Sequence, residues 1–184
     1  MKHTFQIVRL TFVLLLLCAI FYPMVIYGIA QFVPNQGKGE TVSYNGKVVG
    51  YKLIGQKFDQ TGFFWGRPSA VDYNAAGSAG SNKGPSNPEY LAEVQQRIDT
   101  FLIAHPYLKK SDIPADIVTA SGSGLDPDIS YQAALVQVKR VANQNHLAEA
   151  TVRELVEKHL NRPTLAGVPT VNVLALNIEL KQLQ

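Results

Sequence analysis

LTFVLLLLCAIFYPMVIYGIAQFV, the sequence from Leu10 to Val33, contains no charged side chain. A helix that crosses the hydrocarbon core of a bilayer needs about 20 apolar residues. It satisfies its own backbone polar groups, for which lipid offers no partner. The stretch therefore predicts one transmembrane helix over residues 10–33, which Pro23 bends without ending.

A cleaved signal peptide is the alternative interpretation of this stretch. Lys2 and Arg9 form a basic start, and Gly28-Ile29-Ala30 is typical of a cleavage site. Against this, the apolar run is longer than the roughly 7 to 15 residues of the hydrophobic region in a signal peptide. Tyr22 and Tyr27 also suit the two membrane interfaces. An uncleaved anchor is the favoured interpretation.

Positive charges near the helix ends predict its orientation. Lys2 and Arg9 precede the helix, whereas Lys38 and Lys47 follow it. The small excess on the amino-terminal side favours a short cytoplasmic amino terminus at residues 1–9. Residues 34–184 would then form a domain outside the cytoplasm.

Composition bounds what this domain can be. The chain has 17 Lys+Arg against 14 Asp+Glu, and two of the basic residues precede the helix. The domain is therefore nearly neutral and lacks the basic footprint of a nucleic-acid-binding protein. Cys18, the only cysteine, lies in the predicted helix, so no disulfide is expected. A chain of about 150 residues can bury a hydrophobic core without one.

Local signals predict strands and helices in the domain. Two β-rich runs between Thr41 and Ile54 flank Asn45-Gly46, which is a strong signal for a hairpin. Asn87 followed by Pro88 predicts a capped helix start. His105-Pro106 predicts the end of the same helix.

The second half of the chain predicts one more strand and further helices. The strand is Ile117-Val118-Thr119, whereas Ser130 and Thr151 are predicted to cap two amphipathic helices. Residues 170–180 suit either a strand or a helix capped by Asn172, and the helix is favoured. Together these elements predict an α+β fold: one amino-terminal transmembrane helix followed by one soluble extracytoplasmic α+β domain.

Residues Phe63 to Pro88 crowd Gly, Ser, Asn and Pro around aromatic side chains. This composition is too aromatic for a linker, so we predict an ordered functional loop. A flexible excursion is the alternative, which Gly77 to Gly84 would support. Arg67 could stack on Trp65 or pin the loop through carbonyl groups, and pinning is the favoured role.

Signatures of chemistry are largely missing. The histidines are far apart in sequence, so no metal site is expected; they are His3, His105, His146 and His159. The glycine-rich stretch around Lys83 lacks the order of residues in a phosphate-binding loop.

The turn Ser121-Gly122-Ser123-Gly124 does not fit a nucleophile elbow, because Ser121 stands where the outer glycine is needed. Its backbone amides could hold an anion. The favoured interpretation is structural: Gly122 and Gly124 supply unusual backbone angles, while Asp126 and Ser130 cap the following helix.

Two other classes of function remain open from the residues alone. One is an extracytoplasmic hydrolase that uses Ser121 or Ser123 with Lys83 or Lys139 as the base. The other is a solitary module that binds a small ligand in the aromatic loop.

Several long motifs, in a fixed order, carry a resemblance to a known family. They are Phe64 to Ala70, Tyr73-Asn74, Gly80 to Asn87, Val118 to Pro127, Gln137 to Ala142 and Val171 to Asn177. The set resembles the C subunit of the Kdp potassium-transporting ATPase, and the likeness covers nearly the whole chain.

This resemblance implies a subunit of a high-affinity potassium pump in a bacterial cell membrane. A channel-like subunit binds the ion in such a pump, and a P-type ATPase subunit hydrolyses ATP. The resemblance implies a non-catalytic C subunit that stabilises the assembly and, as a catalytic chaperone, raises the ATP affinity of the ATPase subunit. No metal cofactor is implied. Any contact with ATP would form within a ternary complex of ATP, the ATPase subunit and the C subunit.

Within these motifs we select candidate interface or structural positions. They are Trp65, Gly66, Arg67, Asn74, Ser81, Asn82, Asn87, Ser121, Gly122, Ser123, Gly124, Asp126, Arg140, Asn172 and Asn177. The loop and the turn are expected to order the domain. The anchor is expected to pack on the channel-like subunit, with Gly28 and Ala30 permitting close approach of helices.

Overall fold

The structure, a computed structural model, describes residues 2–164 and 167–183. It divides into two units, Met1–Glu40 and Thr41–Gln184. The helices are α1 (Lys2–Leu16), α2 (Tyr22–Ala30), α3 (Pro88–Ala104), α4 (Tyr131–Leu135), α5 (Val138–Asn145), α6 (Glu149–Lys158) and α7 (Val173–Gln182). The strands are β1 (Thr41–Tyr44), β2 (Lys47–Tyr51), β3 (Asp128–Ser130), β4 (Leu160–Asn161) and β5 (Thr170–Asn172). These elements confirm the predicted α+β class.

The first unit is a helix with one irregular turn. Leu17–Phe21 forms a π-helical turn between α1 and α2, and the Tyr22 N–H donates to the Leu17 carbonyl. Pro23 follows directly and has no N–H to donate, so the wider turn accommodates it without ending the helix. Among the described residues, His3–Ala30 is the one helix long and apolar enough to cross a membrane.

The second unit begins with the predicted hairpin of β1 and β2. Asn45 and Gly46 both have positive φ, at 50° and 76°, as a tight two-residue hairpin turn requires. The strands pair in antiparallel fashion with a bulge beside Val42 and Ser43.

A second small sheet has the order β3-β5-β4, with both pairings antiparallel. Ile129 of β3 pairs with Val171 of β5, and both are buried. Their side chains join the apolar core to which α3, α4, α5, α6 and α7 contribute. Phe64 and Ile117 add to this core from irregular or 3₁₀ segments.

Three helix starts were predicted correctly. Asn87 caps α3, because its Oδ1 accepts from the Tyr90 N–H at 3.0 Å. Ser130 caps α4, because its Oγ accepts from the Ala133 N–H at 3.1 Å. Asn172 ends β5 and caps α7, so the favoured helix is confirmed while the preceding residues pair as a strand.

Two local predictions were wrong. Ala115–Ile117 is a 3₁₀ turn rather than part of a strand, because it follows Pro114 and directs Asp116 to the N–H and hydroxyl of Ser130. Thr151 does not cap α6, which begins at Glu149 with Ala148 at the cap position. The acidic Glu149 in the first turn suits the positive end of the helix dipole.

Candidate functional site

Two buried amide side chains hold residues 61–65, called here the 61–65 segment. Asn177 of α7 accepts from the Phe64 N–H at 2.8 Å and donates to the Phe64 carbonyl at 3.0 Å. Gln137 does the same to Trp65, at 2.8 Å and 3.1 Å. Each amide thus pairs both polar groups of one residue, as a neighbouring strand would. The backbone N–H and carbonyl groups of Phe64 and Trp65 are therefore hydrogen-bonded, although these residues belong to no sheet.

Arg140 of α5 fixes the same segment from a second direction. Its side chain is buried, and the residue is 4% exposed. Its nitrogen atoms donate to the carbonyl oxygens of Thr61 and Phe63, to Gln137 Oε1 at 2.7 Å and to His105 Nε2 at 2.8 Å. Among the described residues, no carboxylate pairs with it. Burial lowers the pKa of Arg140 to about 10, so the guanidinium remains a cation at neutral pH.

His105 accepts one of these bonds and is itself fully buried. Its Nδ1 lies 2.7 Å from the Phe101 carbonyl. An arginine only donates, so Nε2 must accept and Nδ1 must carry the proton. Burial, and then the nearby Arg140 charge, lowers the pKa of His105 to about 4.

Trp65 lies at the centre of the aromatic contacts. Its ring packs edge-on against Phe101 and His105, with centroids 6.1 Å and 5.7 Å away. Arg140 stacks over it at 4.4 Å. The sequence offered Arg67 as a possible stacking partner, but the stacked guanidinium belongs to Arg140.

Arg67 links the loop to the 121–126 turn through a carboxylate, and not through the carbonyl groups that the sequence predicted. Its Nη1 lies 2.9 Å from Asp126 Oδ2. The Arg67 carbonyl accepts from the Tyr73 hydroxyl. The other Asp126 oxygen accepts from the Asp128 N–H at 3.1 Å. Asp126 was therefore wrongly predicted to cap the next helix, because both its oxygens are used elsewhere.

The turn at residues 121–126 packs against the loop at residues 66–80. The Ser121 N–H donates to the Pro68 carbonyl at 3.1 Å, and the Ser78 hydroxyl donates to the Ser123 carbonyl at 3.0 Å. Ser121 is buried, and Ser123 Oγ accepts from the Leu125 N–H. Both serines therefore make hydrogen bonds that stabilise the turn or its contact with the loop.

Gly124 is required in this turn by conformation and by space. Its φ is +68°, and a Cβ would lie 2.7 Å from Val71 Cγ2 and 2.8 Å from the Ala79 carbonyl oxygen. A Cβ on Gly80 would lie 2.9 Å from the carbonyl oxygen of Gly122. Gly122 itself has open space and no positive φ, so the predicted need for an unusual angle was wrong there.

The remaining candidate positions are not gathered into one site. Asn172 and Asn87 serve as helix caps. Asn74 and Asn82 are exposed, the first bonding the Ala76 N–H of its own turn and the second having a φ of 54°. Ser81 is half-buried.

Comparison with known proteins agrees with the motif evidence. The family model described as K+-transporting ATPase, c chain, matches residues 4–182. The chain belongs to the KdpC family.

Relatives in this family are similar along their whole length. A protein of Flavobacterium psychrophilum named potassium-transporting ATPase KdpC subunit is 68% identical over 184 residues, covering all of both chains. Its namesake in Flavobacterium johnsoniae is 66% identical with the same coverage. The one in Bacteroides fragilis is 51% identical over 189 residues, covering all of this chain and 99% of the relative.

One cleft of this KdpC-family chain lies beside the 61–65 segment and measures about 460 Å³. Its apolar lining includes Trp65, Phe101 and Ile117, and Gly66 also faces it. Charged side chains also contribute to the lining, namely Lys57, Asp59, Asp72 and Arg97. Such a cleft can accept an apolar or aromatic group.

Lys83 is badly placed for the base that a hydrolase would need. Its Nζ lies 2.7 Å from Glu93 Oε1 and 3.7 Å from Glu89 Oε2. The hydrogen bond from Glu93 raises the pKa of Lys83, so the amine stays protonated at neutral pH. A protonated amine cannot accept the proton of Ser121 or Ser123.

Sequence reasoning missed Gln137, His105 and Phe64 as parts of this arrangement. Gln137 could have been noticed as a polar residue on the buried face that Ala133 and Val141 also occupy. No sequence signal predicts the contacts themselves, because the partners are far apart in the chain. The bonds from Gln137 to Trp65, for example, join residues 72 positions apart.

Proposed function

We propose that this chain is a membrane-anchored, non-catalytic accessory subunit of a bacterial K+-transporting ATPase complex. The observation that carries the proposal is the match to the KdpC family over residues 4–182, with full-length relatives named as subunits of a potassium-transporting ATPase. Its partners would be a channel-like potassium-binding subunit and a P-type ATPase subunit. Its role would be to assemble and stabilise the pump.

The proposed anchor is the helix of α1, the π turn and α2. Its apolar length supports a single membrane crossing. Lys2 and Arg9, which precede the apolar run, support a cytoplasmic amino terminus and a domain outside the cytoplasm. We further propose that α2 packs on the channel-like subunit, where Gly28 leaves open space for a neighbouring helix.

The fixed 61–65 segment supports a role in binding a protein partner. Its backbone is paired by Gln137 and Asn177, and its shape therefore exists before any partner arrives. A surface that is already ordered loses less conformational entropy on binding. The cleft beside Trp65 would then receive an apolar side chain of a partner subunit.

An effect on ATP affinity follows from linkage, without direct contact between ATP and this chain. If the chain binds the ATP-bound form of the ATPase subunit more tightly, it must raise ATP affinity by the same factor. The proposed catalytic chaperone role therefore needs a ternary complex of ATP, the ATPase subunit and this chain. It does not need a phosphate-binding loop in this chain.

Purification of the pump with and without this chain tests the proposal. Omission should reduce recovery of the assembled complex, and the complex that remains should show a higher KM for ATP in potassium-stimulated hydrolysis. Adding back the full chain should restore both. A complex that assembles fully and keeps its ATP KM without the chain would refute the proposed role.

Protease accessibility tests the proposed orientation separately. Protease added outside spheroplasts with intact inner membranes should cut the exposed residues between Gly77 and Gly84. A cytoplasmic marker protein must remain intact in the same sample. Protection of the segment, with cleavage only after lysis, would place the domain in the cytoplasm.

A further inference from the structure

The π-helical turn between α1 and α2 changes the backbone hydrogen bonds of the membrane helix. The Tyr22 N–H donates to the Leu17 carbonyl, whereas in a regular α-helix it would donate to the Cys18 carbonyl. In the π pattern, the donor to the Cys18 carbonyl would be the next residue, Pro23, which has no N–H. The Cys18 carbonyl therefore lacks both its α-helical and its π-helical donor.

Polar side chains of the same helix do not replace these donors. Thr11 lies about two turns before Cys18. The Gln31 amide is used elsewhere, because its Nε2 donates to the Tyr27 carbonyl at 3.3 Å. The side chains of Tyr22 and Tyr27 are exposed, and their rings extend away from the backbone. A donor to the Cys18 carbonyl must therefore come from outside this helix.

The depth of this carbonyl in the membrane makes a missing donor costly. The apolar run from Leu10 to Val33 has its midpoint between Phe21 and Tyr22. At about 1.5 Å per residue, Cys18 lies roughly 5 Å from that midpoint along the helix axis. Lipid tails offer no hydrogen-bond donor there and water is scarce, so an unpaired backbone carbonyl is strongly unfavourable.

These requirements select one kind of occupant. A helical carbonyl points along the axis toward the residue that would donate to it, so the donor must approach the Cys18 carbonyl beside the Pro23 ring. In membranes, a neighbouring helix commonly supplies the hydrogen bond that a proline removes. A helix of another subunit fits the family, whose full-length relatives are named as subunits of a potassium-transporting ATPase.

We propose that a polar side chain on a membrane helix of another pump subunit donates a hydrogen bond to the Cys18 carbonyl beside Pro23. A hydroxyl, carboxamide or indole N–H group has the required chemistry. The proposal rests on the anchorage and pump membership proposed above, and it identifies the turn of the anchor that contacts the partner. Such a bond would fix both the rotation and the depth of the anchor against that partner.

Isotope-edited infrared spectroscopy tests the proposal on the full chain. Because Cys18 is the only cysteine, cysteine labelled with ¹³C at its carboxyl carbon labels one backbone carbonyl, the one in question. The labelled chain is measured in lipid vesicles, first alone and then assembled with the unlabelled remainder of the pump. Its amide I band should lie at the high wavenumber of an unbonded carbonyl in the chain alone and shift to lower wavenumber on assembly.

Two variants serve as matched controls. A Cys18→Ala, Met24→Cys variant moves the label to a carbonyl within α2, to which the Gly28 N–H can donate in the α-helical pattern. Its band should lie low in both states and should not shift on assembly. Pro23→Ala restores the missing N–H, so the Cys18 band should already lie low in the chain alone.

Several results would overturn the proposal. A low Cys18 band in the unchanged chain alone would show that water, a second copy or the helix itself already supplies the donor. An assembled pump in which this band stays high would refute the bond and leave pump membership intact. An equal shift in the Met24→Cys control would be a general effect of assembly. A labelled chain that does not co-purify with the other subunits would overturn the proposed pump membership as well.

Discussion

The 61–65 segment and the turn at residues 74–77 are both irregular, but they are held in different ways. Buried side chains of α7, α5 and the residue before α5 bond the backbone of the first. The second is exposed, and its bonds are local: Asn74 accepts from the Ala76 N–H, and the Gly77 N–H donates to the Asn74 carbonyl.

This difference teaches where order in an irregular segment comes from. A peptide group in the exposed turn can exchange its protein partner for water at little net cost. The peptide groups of Phe64, which Asn177 pairs, are buried and have no such exchange, so losing this partner exposes the full desolvation penalty. Substitutions at equivalent residue types should therefore have unequal effects in the two regions.

The largest effect is expected from Arg140→Ala. The change leaves the Phe63 carbonyl and His105 Nε2 without this donor, while Gln137 Oε1 keeps only the Trp65 N–H. We expect the free energy of unfolding to fall by about 3–5 kcal/mol. Urea unfolding of the full chain in detergent, followed by Trp65 fluorescence, measures it. Arg140→Lys should recover little, because an ammonium group lacks the planar fork of donors.

Arg153→Ala is the matched control for Arg140. Arg153 lies on the exposed side of α6. Its removal should change the free energy of unfolding by no more than about 0.5 kcal/mol. Similar losses for the two arginines would show that the buried network does not fix the 61–65 segment.

A pair of asparagines sharpens the comparison directly. Asn177→Leu keeps the number and branching of the side-chain heavy atoms but leaves both the N–H and the carbonyl of Phe64 unpaired. We expect a loss of about 2–4 kcal/mol in the free energy of unfolding. Asn74→Ala removes one bond in the exposed turn and should cost about 0.5 kcal/mol or less. Equal losses in the same urea assay would contradict the distinction between the regions.

Acid should destabilise the buried region selectively. The pKa of His105 is about 4 in the folded chain against an ordinary value of 6.5. The unfolded chain therefore binds more protons between these values. The contribution of neutral His105 to the free energy of unfolding is complete above about pH 6.5. It is lost as the pH falls toward 4, by up to about 3 kcal/mol. Unfolding measured across this range should show the loss.

Histidine variants identify the source of that pH dependence. His105→Gln retains an acceptor for Arg140 but cannot titrate, so its stability should vary less between pH 6.5 and 4. His146 is exposed and ends α5 with a φ of 56°, which asparagine also tolerates. His146→Asn should keep the wild-type pH dependence. The reverse pattern would remove His105 from the explanation.

Features that depend on neighbouring residues could be predicted from the sequence. Asn45-Gly46 predicts the hairpin because the turn needs two positive φ angles. Asn87 and Ser130 predict helix starts because their side chains reach N–H groups three residues away. The start of α6 escaped prediction, because Ala148 has no side-chain acceptor and Thr151 competed with it.

The arrangement around the 61–65 segment depends on residues far apart in the chain. Arg140 and Asn177 were selected within motifs, but nothing local assigns them to the Phe63 carbonyl or to Phe64, 77 and 113 positions away. The sequence suggested only Arg67 as a stacking partner of Trp65. The contact of Arg140 with that ring depends on the packing of α5, which no local pattern predicts.

Apart from the control substitutions at Arg153 and Asn74, the smallest effect is expected at the Arg67–Asp126 pair, which links the loop to the 121–126 turn. Its side chains are 25% and 31% exposed, so solvent screens the interaction. Arg67 Nε is buried and, within the described structure, has no hydrogen-bond partner, which offsets part of the gain. A double-mutant cycle of Arg67→Ala and Asp126→Ala should therefore give a coupling of only about 1 kcal/mol, weakened further by salt. A coupling as large as the loss in Arg140→Ala would contradict the comparison. It would mean that the partly exposed ion pair stabilises the turn as strongly as the hydrogen bonds of Arg140 stabilise the 61–65 segment.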